Sequence, residues 1–284
     1  MAASKRVLVA CVAENTPRFH HEVTYLFKSL RYLGGRLADA QAIAYFVDSV
    51  NAEVTATLAA LNVAVQIVDR LDERCLHANK IQMLEDTADY DYLVALDTDI
   101  VIARDFSAQL IGHSIAAKPA DSDPLTHAEW KTLFGHFNLP LPETRFLTSF
   151  NLSLTIPYFN SGVLVIPRIW VSPLRTLWRE YTGRLLDAYG ELAPLEKHRF
   201  FTDQIALSLA LARGEIPFRE LPLEMNFPIH YPVHDALEPT RIEPLLLHHH
   251  HVWSDSTNLP DCHYENINQD IRRIHTVLSS QPGA

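Results

Sequence analysis

Glycine is scarce in this sequence, with nine residues among 284. None of them falls into the glycine-rich loops that bind dinucleotides or nucleoside triphosphates, or into the GxSxG turn of serine hydrolases. The three cysteines, Cys11, Cys75 and Cys262, are odd in number and lack CxxC spacing. Neither a disulfide framework nor a cysteine zinc site is therefore indicated, and a reducing compartment is favoured.

Basic clusters and long apolar runs are also missing. The formal net charge is -10, and a nucleic-acid surface needs a basic stripe, so we expect no nucleic-acid partner. No stretch approaches the roughly twenty apolar residues of a membrane span. The early run VLVACVA is followed at once by Glu14, which predicts a buried strand rather than a signal peptide. We expect a cytoplasmic protein without an integral membrane segment, and the oligomeric state stays open.

The first hundred residues alternate between strand and helix patterns. The predicted strands cover residues 6–13, 43–47, 63–68 and 92–96, and the predicted helices cover residues 19–33, 53–61 and 76–87. Because the strands are continuous apolar runs, both faces of the sheet must be covered, which is typical of parallel sheets. The pattern predicts an α/β fold of the Rossmann-like kind, with a mostly parallel central sheet flanked by helices, as a single domain over residues 1–284.

The second half is less regular at first. Residues 112–157 contain five prolines and one helical patch at 126–137, which predicts an irregular insertion, and such insertions tend to be functional. Regular structure then resumes. A strand is predicted at 159–166, helices at 172–189 and 202–213, a last strand at 244–253 and a terminal helix at 265–278.

Two carboxylates, Asp97 and Asp99, follow the apolar strand YLVAL and precede a second apolar run, IVIA. The chain has two other D-x-D triplets, but only this one lies between such runs. Ligands collect beyond the carboxyl ends of strands in open α/β sheets, and carboxylates near a core need a positive partner. The pattern therefore predicts a site for a hard divalent cation. A solvated turn is the simpler alternative.

Four consecutive histidines at 248–251 offer a further ligand for that cation. Alternate side chains of a strand share a face, so His248 and His250 point one way while His249 and His251 point the other. One pair at most can face the metal, and strand alternation alone leaves open which of the four histidines is the ligand. The alternative is that the run forms the polar end of an edge strand.

Four motifs in order, LDTDIVI, YFNSGVLVIPR, FTDQIALSLAL and a late strand ending in histidine, resemble the GT-A glycosyltransferases, especially the family 8 type. The resemblance covers nearly the whole chain. It implies a metal-dependent transfer of a hexosyl group from a nucleotide diphosphate sugar, UDP-hexose ahead of GDP-mannose, to a hydroxyl acceptor. That acceptor would be a sugar, a lipid-linked compound or a small molecule. Retention of anomeric configuration is implied, and inversion with Asp203 as base stays open.

The resemblance also implies roles for individual residues. Asp97, Asp99 and His248 would hold Mn²⁺, or Mg²⁺ as the second candidate, against the diphosphate. His250 is the alternative histidine ligand. Asn160, Asp203 and Gln204 would face the transferred sugar as catalytic residues. The other donor-binding residues would be Lys80, Thr98, Ser161 and Gly162, with Ala10, Val12, Ala13 and Asn15 around the base. Residues 1–106 would form the nucleotide-sugar half, residues 107–264 the acceptor half and residues 265–284 the C-terminal helix. The lysine and tryptophan that follow the late histidine in the family are replaced by HVWSDSTN.

The insertion at 112–157 is predicted to form much of the acceptor side. Its aromatic residues Trp130, Phe137, Phe146 and Phe150 are available to stack on a sugar ring or an acyl chain.

Each of the residue roles has a simpler explanation. Asp203 follows Thr202 at a helix start, where an acid stabilises the helix dipole. The N-S-G segment at 160–162 fits a strand bulge, and Lys80 fits a surface lysine.

Two other functions are compatible with the motifs. LDTDIV fits the D-x-D-x-V pattern of haloacid-dehalogenase-type phosphatases that use Mg²⁺, although their downstream G-D and D-D signatures are absent. A non-catalytic sugar- or metal-binding module on the same fold is the third possibility.

Overall fold

A computed structural model describes residues 5–84, 88–250 and 259–281. The helices are α1 (Pro17–Leu33), α2 (Ala52–Ala60), α3 (His127–His136), α4 (Arg168–Ala188), α5 (Thr202–Arg213) and α6 (Glu265–Ser279). The strands are β1 (Val7–Glu14), β2 (Gln41–Val47), β3 (Ala64–Val68), β4 (Tyr92–Leu96), β5 (Ile100–Ile102), β6 (Ile115–Pro119), β7 (Phe146–Leu147), β8 (Leu154–Thr155), β9 (Phe159–Pro167), β10 (Phe218–Glu220), β11 (Phe227–Pro228) and β12 (Leu246–His248).

The central sheet has the strand order β10-β6-β9-β4-β1-β2-β3 within the described residues. Its neighbours pair in parallel except at β9, which is antiparallel to both β4 and β6. The predicted α/β class with a mostly parallel sheet is therefore confirmed. Because β9 runs against the others, its first residues lie beside the carboxyl end of β4, where a ligand is expected.

Helices cover both faces of this sheet, as the apolar strands predicted. Leu8 and Ala10 of β1 belong to the core shared with α3, α4 and α5. Their alternating neighbours Val7, Val9 and Cys11 belong to the core shared with α1 and α2. A small sheet of order β11-β12-β5 packs separately against α6. The two faces of β1 show why a continuous apolar run was needed there.

Helix α1 begins and ends where local chemistry indicates. The Thr16 side chain accepts a hydrogen bond from the backbone N–H of Phe19, Pro17 occupies the first helical position, and Gly34 follows the last one. These are standard start and stop signals. The helix therefore fixes the position of its first turn, which borders the site described below.

The segment 112–157 is not the irregular insertion that its prolines predicted. It contains β6, which lies between β10 and β9 in the central sheet, and α3, which starts with a reciprocal Thr126–Glu129 capping box. Strand β6 escaped prediction because its sequence, IAAKP, is short and contains small residues, a lysine and a proline. Pairing with β9 and β10 outweighs its weak local preference.

The aromatic residues of that segment are mostly unavailable to an acceptor, contrary to expectation. Trp130 and Phe137 are buried in the core, and Phe146 is half-buried against Phe159. Phe150 is 47% exposed. A large aromatic side chain buries more apolar area in the core than a surface site would use, and α3 needed such residues to pack on the sheet.

Two further predicted elements differ from the structure. The predicted helix at 76–87 is a 3₁₀ helix at Leu76–Met83, and the last strand is restricted to Leu246–His248. Residues 85–87 and 251–258, including His251, and residues 282–284 lie outside the described residues. In the part of the chain that the structure describes, no helix is both long and apolar enough to cross a membrane.

Candidate active site

A cleft of about 400 Å³ opens beyond the carboxyl ends of β1 and β4. Its size lies within the range of small-molecule sites. The predicted site residues that line it are Val12, Ala13, Lys80, Asp97, Thr98, Asp99, Asn160, Asp203, Gln204, His248 and His250. Residues separated by up to 238 positions in sequence therefore meet at one place, as the motif order indicated.

Four predicted site residues do not line the cleft. Ala10 is fully buried beneath it, and Asn15 donates a hydrogen bond to the Ser49 hydroxyl on the surface. Ser161 and Gly162 are buried behind the side chains that do line the wall. Ser161 still contributes to the cleft, because its hydroxyl donates to Asp203. Gly162 contributes because the absence of a side chain leaves room for His248 and Asp97.

Asp97, Asp99 and His248 bring their ligand atoms together on one wall, all within 4.8 Å of one another. Asp97 and Asp99 extend from the turn between β4 and β5, and His248 ends β12, which pairs with β5. The antiparallel pairing of β5 and β12 aligns Ile100 with His248, so the histidine lies next to the D-x-D triplet.

The orientation of the His248 ring suits it for binding a cation. Its Nδ1–H donates to Oδ1 of Asn226 at 2.9 Å, so that Nε2 faces Oδ1 of Asp99 at 3.2 Å. A contact of this length needs either a proton on Nε2 or a cation between the two atoms. Two neighbouring ligands of an octahedral ion at about 2.1 Å are about 3.0 Å apart, close to the observed separation. Two carboxylates and one oriented imidazole thus fit Mn²⁺ or Mg²⁺.

Gly162 allows this close approach. A Cβ atom at position 162 would lie 2.7 Å from Cε1 of His248 and 3.0 Å from Oδ2 of Asp97. Its backbone is that of β9, and its N–H donates to Oδ1 of Asn160 at 2.8 Å. The space behind Asp97, Asp99 and His248 therefore does not accommodate a side chain at position 162.

Lys80 is the positively charged partner of Asp97 and Asp203. Its Nζ donates to Oδ2 of Asp97 at 2.7 Å and to the Ser161 hydroxyl at 3.1 Å, and it lies 3.5 Å from Oδ2 of Asp203. Burial alone would lower the pKa of Lys80, but the charges of Asp97 and Asp203 raise it above its usual value. The lysine is therefore a fixed cation between two carboxylates rather than a surface side chain.

Asp203 is 2% exposed at the start of α5 and faces the cleft. Burial would raise the pKa of its carboxyl, but the charge of Lys80, the nearby His77 and the hydrogen bond from Ser161 outweigh burial and lower it. The Ser161 hydroxyl donates to Oδ2 of Asp203 at 2.8 Å. Asp203 is thus held ionised, which a helix-dipole role alone would not require.

Helix α1 holds the D-x-D segment from beneath. The Thr98 hydroxyl donates to Oε2 of the buried Glu22 at 2.6 Å, and the backbone N–H of Ile102 donates to the Ser29 hydroxyl at 2.9 Å. Because these contacts flank Asp99, the turn that bears the carboxylates is fixed on both sides.

A family model described as the Rhodobacterales glycosyltransferase domain matches residues 9–215, a span that includes most of β1 and all of the D-x-D triplet, β9 and α5. The chain belongs to this glycosyltransferase family. The resemblance that the motifs indicated is confirmed, and the protein is a glycosyltransferase. A search of curated proteins found no match.

Solved structures of glycosyltransferases share the fold. The galactosyltransferase LgtC, solved with donor and acceptor sugar analogues, has a TM-score of 0.57 at 13% identity, over 98% of this chain and 97% of that chain. The bifunctional WbbM has a TM-score of 0.57 at 13% identity over 99% of this chain, which spans 51% of WbbM. GlyE of Streptococcus pneumoniae TIGR4 has a TM-score of 0.56 at 14% identity, over 97% of this chain and 63% of that chain.

His250 of the glycosyltransferase lies behind the cluster formed by Asp97, Asp99 and His248. Its ring stacks on that of His248 at 3.6 Å between centroids and contacts His230 at 3.7 Å on the other side. Burial, together with the two neighbouring histidines, lowers the pKa of His250 to about 2. Its ligand atoms are not part of the group formed by Asp97, Asp99 and His248. The ring packs against His248, and its backbone has left the strand conformation, with φ of 47°.

The glycosyltransferase cleft has a buried polar group behind Asn160 that the sequence did not reveal. Lys118 of β6 forms an ion pair with Asp121, and the Ser149 hydroxyl donates to Oδ1 of Asp121 at 2.5 Å. The Asn160 amide donates to Oδ2 of Asp121 at 3.3 Å. Asp121 begins the third D-x-D triplet, which follows β6 but lacks the continuous apolar run that precedes Asp97. The triplet is visible in the sequence, but only the pairing of β6 with β9 brings Asp121 beside Asn160.

Proposed function

We propose that the protein transfers a hexosyl group from a nucleoside diphosphate sugar, bound through a divalent cation, to a hydroxyl acceptor with retention of anomeric configuration. The observation that carries the proposal is the grouping of Asp97, Asp99 and His248 in the same cleft as Asp203. A cation site and an ionised acid in one cleft match the two charges that sugar transfer develops, negative on the diphosphate and positive on the sugar.

Asp97, Asp99 and His248 would hold Mn²⁺, with Mg²⁺ as the second candidate. Such an ion, when bound, neutralises charge that develops on the departing diphosphate. The chain's own contribution is to keep the ligands in position: Asn226 orients the His248 ring, and Lys80 holds the Asp97 carboxylate. Partners of this kind commonly tune metal affinity by one to two orders of magnitude.

Asp203 would stabilise positive charge at the anomeric carbon of the transferred sugar. Its lowered pKa favours this role over that of a general base, because a carboxylate that holds its charge strongly is a weak proton acceptor. This argument supports retention over inversion with Asp203 as base. Asn160 and Gln204 line the same part of the cleft and offer amide groups to the sugar hydroxyls.

The nucleotide would lie toward the end of β1, where Val12 and Ala13 line the cleft. UDP-hexose is the proposed donor and GDP-mannose the alternative, on the strength of the motif resemblance. The acceptor would be a sugar, a lipid-linked compound or a small molecule. The family assignment counts against a haloacid-dehalogenase-type phosphatase and against a non-catalytic module.

A donor-hydrolysis and transfer assay with UDP-hexoses and GDP-mannose tests the proposal. We expect turnover with Mn²⁺, none in excess EDTA, and none with Asp99→Asn at any metal concentration. Asp91→Asn is the matched control, because Asp91 directly precedes β4 and pairs with Arg6 on the surface. Undiminished transfer in excess EDTA, or by Asp99→Asn, would contradict the proposed role of the metal group.

A further inference from the structure

The charges around the cleft are unbalanced. The carboxylates that line it are Glu14, Asp97, Asp99 and Asp203, and the lysine and arginine side chains that line it in the described residues are Lys80 and Arg18. The whole chain carries a formal net charge of -10, so its long-range field repels an anionic donor. A diphosphate entering this cleft therefore depends on local positive charge.

Most of these charges already have partners inside or beside the cleft. Glu14 accepts a hydrogen bond from Nη1 of Arg70 at 2.7 Å, and Lys80 is shared by Asp97 and Asp203. A divalent cation on the ligand group would be bound by the two carboxylates of the D-x-D triplet. The diphosphate brings two more negative charges, and Lys80 is too closely engaged to meet them.

Arg18 is the cation that remains. It lies in the first turn of α1, is 51% exposed, and its Nε is 3.6 Å from Oε1 of Glu22, beyond hydrogen-bond distance. Its guanidinium donates no side-chain hydrogen bond to any of residues 5–84, 88–250 and 259–281, and it lies 4.7 Å from the ring centroid of Phe19. A guanidinium presents N–H groups in a planar fork that matches two phosphate oxygens.

The position of Arg18 is tied to the metal group through Glu22. The other oxygen of Glu22 accepts the hydrogen bond from Thr98, the central residue of the D-x-D triplet. Arg18 therefore lies along the same wall as Asp99 and one helical turn from the contact that fixes it. Arg18 is half-exposed, and turning its guanidinium into the cleft would exchange the long ion pair with the buried Glu22 for closer contacts with phosphate oxygens, while Glu22 keeps its hydrogen bond from Thr98.

We propose that Arg18 binds the non-bridging oxygens of the donor diphosphate and stabilises the nucleoside diphosphate as it departs. This inference rests on the proposed function, because it requires a nucleoside diphosphate in the cleft. It assigns the donor a second cationic contact, supplied by helix α1 and independent of the metal ligands.

Binding of UDP, GDP and inorganic pyrophosphate, each with saturating Mn²⁺, tests the assignment by calorimetry on the full chain. Arg18→Gln should weaken the binding of all probes that the wild type binds by at least about tenfold, the effect of losing a charge-assisted pair of hydrogen bonds. Arg18→Lys should restore part of the loss. Affinity for Mn²⁺ alone should stay unchanged, because none of its ligands is altered.

Arg184→Gln is the matched control. Arg184 is 46% exposed on α4, pairs with Glu180 four residues away, and lies 4.9 Å from the Tyr181 ring centroid, but it is outside the cleft. If Arg18→Gln binds the probes as tightly as Arg184→Gln and the wild type, the assignment of Arg18 is overturned while the proposed function stands. If the wild type binds none of the probes, the proposed function fails and this inference fails with it.

Discussion

Gly162→Ala tests the metal group by adding a single methyl group behind it. Position 162 lies in β9 with a strand backbone, so alanine adds no backbone strain there. The new Cβ would lie 2.7 Å from Cε1 of His248, whereas carbon atoms in contact prefer about 3.5 Å or more. The His248 ring must therefore move by about 0.8 Å, and its Nε2 moves relative to Asp99. Catalytic and ligand geometry tolerates about 0.5 Å.

We expect Gly162→Ala to lower Mn²⁺ affinity by about 10- to 100-fold, the usual effect of disturbing the support of a metal ligand. At saturating Mn²⁺, kcat should still fall by about 100-fold, since a displacement of about 1 Å has that consequence. Calorimetric titration with Mn²⁺, the melting temperature and kcat on the same sample separate these effects from unfolding.

Gly183→Ala is the control for this experiment. Gly183 lies inside α4, and an added Cβ would meet no atom within 4 Å. Alanine in a helix interior is more stable than glycine by about 0.5–1 kcal/mol, so the control should melt slightly higher and keep full activity. Wild-type Mn²⁺ affinity and kcat in Gly162→Ala would refute the placement of the metal at His248.

Further variants test three other parts of the structure. Asp203→Asn should lower kcat by at least about 100-fold with donor affinity nearly intact, because the lost interaction is strongest in the transition state; wild-type kcat with a slightly lower melting temperature would remove Asp203 from the site. His248→Ala should abolish tight Mn²⁺ binding. Asn226→Ala removes only the hydrogen bond that orients the His248 ring, so it should weaken Mn²⁺ binding by about 10- to 100-fold. Equal Mn²⁺ affinities in both variants and the wild type would argue against His248 as a metal ligand. Lys118→Met should destabilise the protein by about 3–5 kcal/mol in urea, because Asp121 is left as an unpaired buried charge, and adding Asp121→Asn should recover part of that loss. Burial would raise the pKa of Asp121, but Lys118 lowers it well below its usual value. The stability it contributes is therefore complete at neutral pH and lost as the pH falls below about 4, which a pH series of unfolding curves on wild type and Asp121→Asn measures.

The parts of the fold that were predictable have strong local signals. Strand β4 was predicted with its observed bounds, because five consecutive apolar residues between acidic turns leave few alternatives. Helix α5 was also predicted with its observed bounds, because Thr202 precedes Asp203 at its start and Gly214 follows its end. Strands that form because a neighbouring strand pairs with them, rather than because of their own sequence, were not predicted. Strands β6, β10 and β11 are two to five residues long and exist through pairing.

The candidate site was predictable where sequence motifs mark it and not where distant contacts complete it. The D-x-D triplet could be named because it lies between two apolar runs, and Asn160, Asp203 and His248 could be named through the motifs that carry the family resemblance. Nothing local in the sequence pairs Asn226 with His248 or Glu22 with Thr98. Those partners come from a 3₁₀ helix at Leu223–Asn226 and from the buried face of α1, and only the packed structure brings them to the site.

The sequence could not distinguish a donor-binding lysine from a structural one. Lys80 was expected to touch the donor, and it does line the cleft, but its shortest contacts are with Asp97 and Ser161. Sequence spacing places a side chain on an element, whereas charge pairing depends on which carboxylates the fold brings within a few ångströms.

The anchoring of the D-x-D turn has a consequence for the choice of ion. The Asp97 N–H donates to the Gly162 carbonyl at 2.8 Å, Thr98 is held by Glu22, and the Asp99 carbonyl accepts from the His249 N–H at 3.1 Å. Ca²⁺ requires ligands at about 2.3–2.6 Å and a flexible shell of six to eight oxygens, whereas smaller divalent ions bind at about 2.0–2.2 Å. A turn whose three residues are each hydrogen-bonded to a different segment has little freedom to widen. For the metal site that we propose, this rigidity of the backbone between β9, α1 and the end of β12 favours an ion of the size of Mn²⁺ or Mg²⁺ over Ca²⁺.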